Sequence, residues 1–306
     1  MGRTRSGRPA EGQILVVFVL AMIAILGVVG LAMDAGSTYA QRRDQQTAAD
    51  LAALAAANDY LLTNSSTQAT DRAVTVATAN NFTDGAGSTI VDVAIDTSNG
   101  VEVTVSISAG HRNSFLGALG MSTWPVSTSA TSLAGFPDTG YGAGPFIFPI
   151  SAFNDDGTPK YQTSTDFNES NGDVPTSETD LAWTNYGTGN LDTSGVSNII
   201  SGATTINKTL TYGQYIGQHN NGNHTSLYSD VDAHLSGLDL PVAVVDANGN
   251  FMGWATFHVN GATGSSQKHI NGYFLSSFSS DRLTISTCSS NACPRYLGSY
   301  VLKLTD

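Results

Sequence analysis

The sequence predicts an α+β protein in which an N-terminal transmembrane helix continues into a long helix packed on a small antiparallel sheet, followed by a mainly-β region. Three observations carry that expectation. An uncharged apolar run occupies Ile14 to Met33. Helix formers follow, with no proline between Asp34 and Pro125. Beyond that, short β-type runs alternate with Gly, Asn and Ser clusters. The predicted organisation is a cytoplasmic N-terminus at 1–13, the span at 14–33, an extracytoplasmic helix-and-sheet unit at 34–134, a linker at 135–149 and a mainly-β domain at 150–306.

The span is 20 residues long; as a helix it reaches about 30 Å, the thickness of a bilayer core. Its large apolar side chains favour insertion by roughly 4 to 8 kcal/mol. Arg3, Arg5 and Arg8 precede it with only Glu11 to offset them, so the positive-inside rule leaves the N-terminus in the cytoplasm and the bulk of the chain outside. A cleaved signal peptide is the competing reading, with "GLA" at 30–32 as its best cleavage site.

After Asp34 the pattern stays helical, and Ala48, Ala49, Leu51, Ala52, Leu54, Ala55, Ala56 and Leu61 form a broad face of mostly small residues. Small residues permit close helix approach, so a surface must lie against this face, either a partner's or the chain's own sheet. "QATDRAVTVATANNF" at 68–82 reads as a second helix, "TIVDVAID" and "VEVTVSIS" as a hairpin, "FLGALG" as a helical turn and "VSTSATSLA" as a strand. In the second hairpin arm Val101, Val103, Val105 and Ile107 alternate with polar residues, the period of a half-buried strand.

The Gly- and Pro-rich stretch 135–149 has neither period and marks a boundary. Beyond it, "TTINKTLTY", "PVAVVD", "FMGWATFHVNG", "HINGYFLSSF" and "SYVLKL" read as strands and "TSLYSDVDAHL" as a helix. Tyr141, Phe146, Phe148, Phe153, Tyr161, Trp183 and Tyr186 gather in the least regular part of the chain; if exposed they mark a binding face, although core packing is the usual fate of aromatic residues.

Composition bounds the function. The 306 residues carry 41% hydrophobic side chains, 12% charged ones and a net charge of -12. That content can build real cores. The negative balance argues against nucleic acid as a partner, because phosphate binding needs Lys and Arg to displace counterions. Few charges with abundant Ser, Thr, Asn and Gly suit an extracytoplasmic surface. Cys288 and Cys293, the only cysteines, are a disulfide candidate outside the cytoplasm.

The segment "EGQILVVFVLAMIAILGVVGLAMDAGSTYAQRRDQQTAADLAALAAA", residues 11–57, resembles the N-terminal segment of the TadG-like proteins of the Flp (Tad) pilus-assembly system. The likeness rests on Gly12-Gln13, Gly30-Leu31, Asp34-x-Gly36, Arg42-Arg43, Gln46, Ala48-Ala49-Asp50 and the alanine run. It implies an assembly role, with Asp34, Gly36, Arg42, Arg43, Ala49, Asp50 and Ala52 as candidates for an assembly face and with pilus-assembly proteins or a second copy as partners. The helix-on-sheet unit is similar in plan to pilin-like proteins, and "LPVAVVDANGNFMGWATFHVNG" with "INGYF" resembles the far end of many large TadG-like proteins. Prepilin peptidases of this system cut after a Gly with a Glu at the fifth mature position. Here that position is Gly12 or Val17, so no such processing is expected.

Catalytic signatures are missing from the sequence: no G-x-S-x-G, Walker loop, G-x-G-x-x-G or H-E-x-x-H occurs, and neither enzyme activity nor a cofactor is expected. His219 and His224 read as loop histidines more than as a metal pair. Asp246, Asn248 and Asn250 place oxygens at alternate positions, as calcium loops do, but Asn-Gly is also the preferred centre of a tight hairpin turn. "FNDDG" at 153–157 poses the same choice. "DTSGVS" at 192–197 lacks the D-x-S-x-S spacing of a metal-dependent adhesion module. The alternative to an assembly component is a tethered module that binds a glycan, a protein or Ca²⁺.

Overall fold

The computed structural model describes residues 11–98, 100–170, 174–187, 191–216, 220, 224–285 and 294–305. Helix α1, Glu11–Thr63, is continuous over 53 residues, about 80 Å at the α-helical rise. Its first part is largely bare: from Ile14, 71% exposed, to Met33, 68% exposed, the large apolar side chains are exposed. The helix stops where Asn64 takes a left-handed conformation, φ 51°, and its N–H donates back to Tyr60 O. Helix α2, Ser66–Ala79, begins at once, its N-cap Ser65 accepting from Gln68 N.

Strands β1 (Ile90–Asp96), β2 (Val101–Arg112) and β3 (Thr123–Gly135) form an antiparallel meander, with the four-residue helix α3, Phe115–Ala118, at the β2–β3 tip. Val103, Val105 and Ile107 point to one face, where they meet Ala48, Ala49, Ala52, Ala53, Ala56 and Ala57 of α1 and Ala69, Ala73 and Ala77 of α2. These nine alanines are all fully buried. Alanine suits this seam because two helices and a sheet converge there, and a side chain longer than a methyl would hold the backbones apart. Polar stitches add register: Ser132 of β3 donates to Ala53 O at 2.7 Å. Ser132→Ala should lower stability by about 1 kcal/mol, read as a thermal melt of the full chain in detergent.

The chain continues through β4 (Thr139–Tyr141), β5 (Phe146–Pro149), β6 (Thr165–Glu169), β7 (Asp180–Trp183), α4 (Thr193–Ile200) and β8 (Asn207–Thr209). It then forms α5 (Thr225–His234), β9 (Asp239–Val245), β10 (Phe251–Thr263), β11 (His269–Phe274), β12 (Phe278–Ser279), β13 (Leu283–Thr284) and β14 (Ser299–Leu304). Six of these strands close a barrel in the order β10-β11-β6-β7-β5-β9. The pairs β5–β9 and β6–β7 are parallel and the remaining barrel pairs antiparallel. Phe148, Phe167, Phe257 and Phe274 pack together in one core, with ring centroids 4.8 to 5.7 Å apart. Phe251 and Trp254 face a second core on the other side of β10, which explains why that strand reads as a continuous apolar run.

Two features depart from the sequence reading. The stretch 135–149, expected to be a linker, holds β4 and β5, and Phe146, Ile147 and Phe148 are fully buried. A four-residue strand buried on both faces has no alternation to announce it. Strand β14, expected among the strands of the second region, pairs antiparallel with β3 and so completes the first sheet, in the order β1-β2-β3-β14-β12. Of the seven aromatic residues singled out above, Phe146, Phe148, Phe153, Trp183 and Tyr186 are buried, whereas Tyr141 is 45% exposed.

Candidate functional site at the helix exit

Where α1 leaves its apolar run, one side of the helix turns polar at spacings of three and four residues: Asp34, Ser37, Gln41 and Gln45. That spacing puts all four on the stripe that faces the sheet. Asp34, only 1% exposed, accepts from the backbone N–H groups of Ser114 (2.8 Å), Phe115 (3.2 Å) and Leu116 (2.7 Å). Its carboxylate therefore caps α3, which would otherwise present unpaired donors at its first turn. The Leu116 N–H, foremost, holds the Asp34 carboxyl below its ordinary range; burial works against it, and the N–H groups of Ser114 and Phe115 add to the lowering.

The next turns continue the clasp. His111 of β2 lies with Nδ1 2.6 Å from Gln41 Oε1 and Nε2 3.1 Å from Ser37 Oγ. Gln45 Nε2 donates to Ile107 O on β2 and to Val126 O on β3, the latter at 2.9 Å. Gln46 Nε2 donates to Ser129 O and to Asp50 Oδ1. One helical stripe is thus fastened to α3, then to β2, then to both β2 and β3, before the alanine seam begins at Ala48. On the N-terminal side of Asp34, Gly30 is the close-approach point: a Cβ there would collide with the Phe115 ring.

The assembly-face candidates divide between two sides of α1. Asp34, Ala49 and Ala52 are buried against the chain's own sheet and α2, which corrects the expectation that they present a face to a partner. The physical reason is the one left open above: the nearest apolar surface is intramolecular. Asp50 is half-buried and bonded to Gln46. Gly36, Arg42 and Arg43 are exposed, and the space around Gly36 is open. Sequence reasoning missed Ser37, Gln41, Gln45 and His111. The 34-37-41-45 spacing is the signal that could have found the first three; His111 is remote in sequence and carries none.

The other candidates resolve into local structure. Asp246 Oδ1 accepts from Asn248 N and Asn250 N, and its Oδ2 from Asn250 Nδ2. Gly249 supplies the left-handed residue at φ 81°. This is a self-satisfied β9–β10 turn, with the carboxylate committed to its own backbone. In "FNDDG", Asp156 accepts from Thr158 N and Thr158 Oγ in the same way. His224 pairs with Glu169 at 2.7 Å. Among the described residues no group of three or more His, Cys, Asp or Glu converges as a metal site. Cys288, Cys293, His219 and the N-terminal arginines lie outside the described residues. An open groove of about 940 Å³ is lined by Phe136, Phe153, Tyr296, Lys160 and Arg295 among others.

These features define a class: an α+β body fused without interruption to a helix long and apolar enough to cross a membrane, the one such helix among the described residues. Residues 12–59 match the Tad family model, described as putative Flp pilus-assembly TadE/G-like, so the N-terminal segment is similar to that family's. The match ends within α1 and does not reach the barrel. No curated protein and no solved structure matches the chain. That likeness suggests a role in Flp pilus assembly.

Proposed function

We propose that this chain is a single-pass, membrane-anchored, extracytoplasmic component of a Flp/Tad-type pilus-assembly or secretion apparatus, acting through protein contacts rather than catalysis. The observation that carries this reading is that the Tad match coincides with one unbroken helix, bare over its apolar third and fastened to a folded body over the rest. The N-terminus lies in the cytoplasm and the body outside, as the arginines before the span require. With the alanine face committed internally, the contact surface is the opposite side of α1, where Gly36, Tyr39, Arg43 and Thr47 line up at three- and four-residue spacings. Tyr39 is 72% exposed, and Tyr and Arg are the residue types that dominate interface energetics.

The test is co-purification with other pilus-assembly proteins from solubilised membranes. The variant Tyr39→Ala/Arg43→Glu should reduce recovery about tenfold with an unchanged thermal melt, since neither side chain packs on the body. Undiminished recovery from a folded, inserted variant overturns this surface. A second reading, a tethered module binding a glycan or a protein, draws on the groove at Phe136, Phe153 and Tyr296. Specific capture of a glycan by the full chain, abolished by Tyr296→Ala, favours that reading.

A further inference from the structure

The β2–β3 tip reaches down the helix to a level inside the apolar run. Phe115 packs on Gly30, three residues before Met33 and therefore about 4.5 Å inside the end of the span. Around this contact the tip exposes apolar side chains: Leu119 is 66% and Met121 55% exposed, although Leu116 beside them is buried. From His111 to Trp124 the segment "HRNSFLGALGMSTW" has no carboxylate, and its one permanent charge is Arg112 in a chain of net charge -12. The Asp34 carboxylate at the same level is shielded by the α3 N–H groups.

We propose that this tip is a second membrane contact: an interfacial foot, formed by Phe115, Leu119 and Met121, that enters the headgroup–acyl boundary of the leaflet from which α1 emerges. The occupant is the bilayer because the tip is continuous with the span. If residues 14–33 fill the hydrocarbon core, a loop touching Gly30 lies at its edge, within the 5–10 Å depth at which interfacial segments sit. The exposed leucine and methionine there, with the partly buried Phe115 beside them, would face lipid, flanked by Arg112 and Trp124 in the manner of residues that favour the interface. Asp34 couples the two contacts, since it belongs to α1 and caps the helix that carries the foot. The foot therefore fixes how far the span can slide through the membrane and how the body is tilted over it.

The inference rests on the reading of residues 14–33 as a membrane span, and the experiment separates the two. The full-length protein is reconstituted in phosphatidylcholine vesicles with and without brominated acyl chains, and tryptophan emission is compared for three variants. Leu20→Trp reports the span, Leu119→Trp the foot, and Leu62→Trp, about 43 Å further along α1 than Met33, a site clear of the bilayer. All three side chains are exposed, so the replacements leave the core intact; Met121→Trp provides a second report from the foot. The added emission of the Leu20 and Leu119 variants should fall by about half or more in brominated lipid, as for tryptophan within or at the edge of the acyl region, and that of the Leu62 variant should not change. Quenching at Leu20 with none at Leu119 and Met121 overturns the foot and leaves the span standing. Absence of quenching at Leu20 overturns both, and equal quenching at Leu62 and Leu119 overturns the foot as a distinct contact.

Discussion

Replacing Ala49 and Ala52 together with leucine is expected to lower the melting temperature of the detergent-solubilised full chain by on the order of 10 °C. At each position an isobutyl group replaces a methyl in a site closed to solvent, and overpacking costs about 1 to 3 kcal/mol per position. Both alanines are fully buried where α1 meets α2 and the sheet, and because they share neighbours the two costs do not simply add. For a body of this size each kcal/mol corresponds to about 2 to 4 °C. Leu51→Ala is the control, since Leu51 is 46% exposed and its truncation should leave the melt nearly unchanged. A double variant that melts like the parent would mean that α1 does not rest on the sheet through this seam.

The second large effect is expected at the helix exit. Asp34→Ala removes the acceptor of three backbone N–H groups at once, and buried donors left without partners cost more than the bonds themselves contributed. Hydrogen exchange at Ser114, Phe115 and Leu116 should accelerate by on the order of tenfold or more as α3 opens locally, with amides of the barrel unaffected. The effect also has a pH signature. The folded-state pKa of Asp34 is lowered from 3.8, so the carboxylate stabilises the fold above that ordinary value. The contribution declines as pH falls below it and is lost once the folded-state group is protonated. The difference in melting temperature between parent and Asp34→Ala should therefore be constant from neutral pH to about pH 5 and shrink below 3.8. A difference that grew on acidification would contradict the capping role.

The sequence reveals α1, α2, β1, β2 and β10 because each carries its own period or a long apolar run, written in contiguous residues. Strand β5 and the closure of the barrel are hidden, since "FIFP" has no polar partner residues to show which way it faces. The sheet position of β14 is hidden for another reason: pairing between Val301 and Gly135 is a non-local match that no window of sequence contains. At the end of the apolar run, Asp34 is conspicuous as the first charge to follow it, yet its role depends on backbone N–H groups some 80 residues away, and backbone donors leave no mark in the side-chain sequence. The 34-37-41-45 stripe is legible once a sheet is known to lie beside it.

The return of β14 to β3 gives this protein an order of completion in time. The neighbour that covers the β3 edge starts at Ser299, 164 residues after β3 ends at Gly135. At ordinary synthesis rates that interval lasts about 8 to 30 s. Throughout it α1, α2 and the meander can assemble, but β3 stands with unpaired N–H and C=O groups along its open side, a template for any strand nearby. The exposed length is small, four residues of register from Ser132 to Gly135, and the barrel must finish beside it before the gap can close. A copy cut short before β14 would keep α1 and its alanine seam while displaying an open edge permanently.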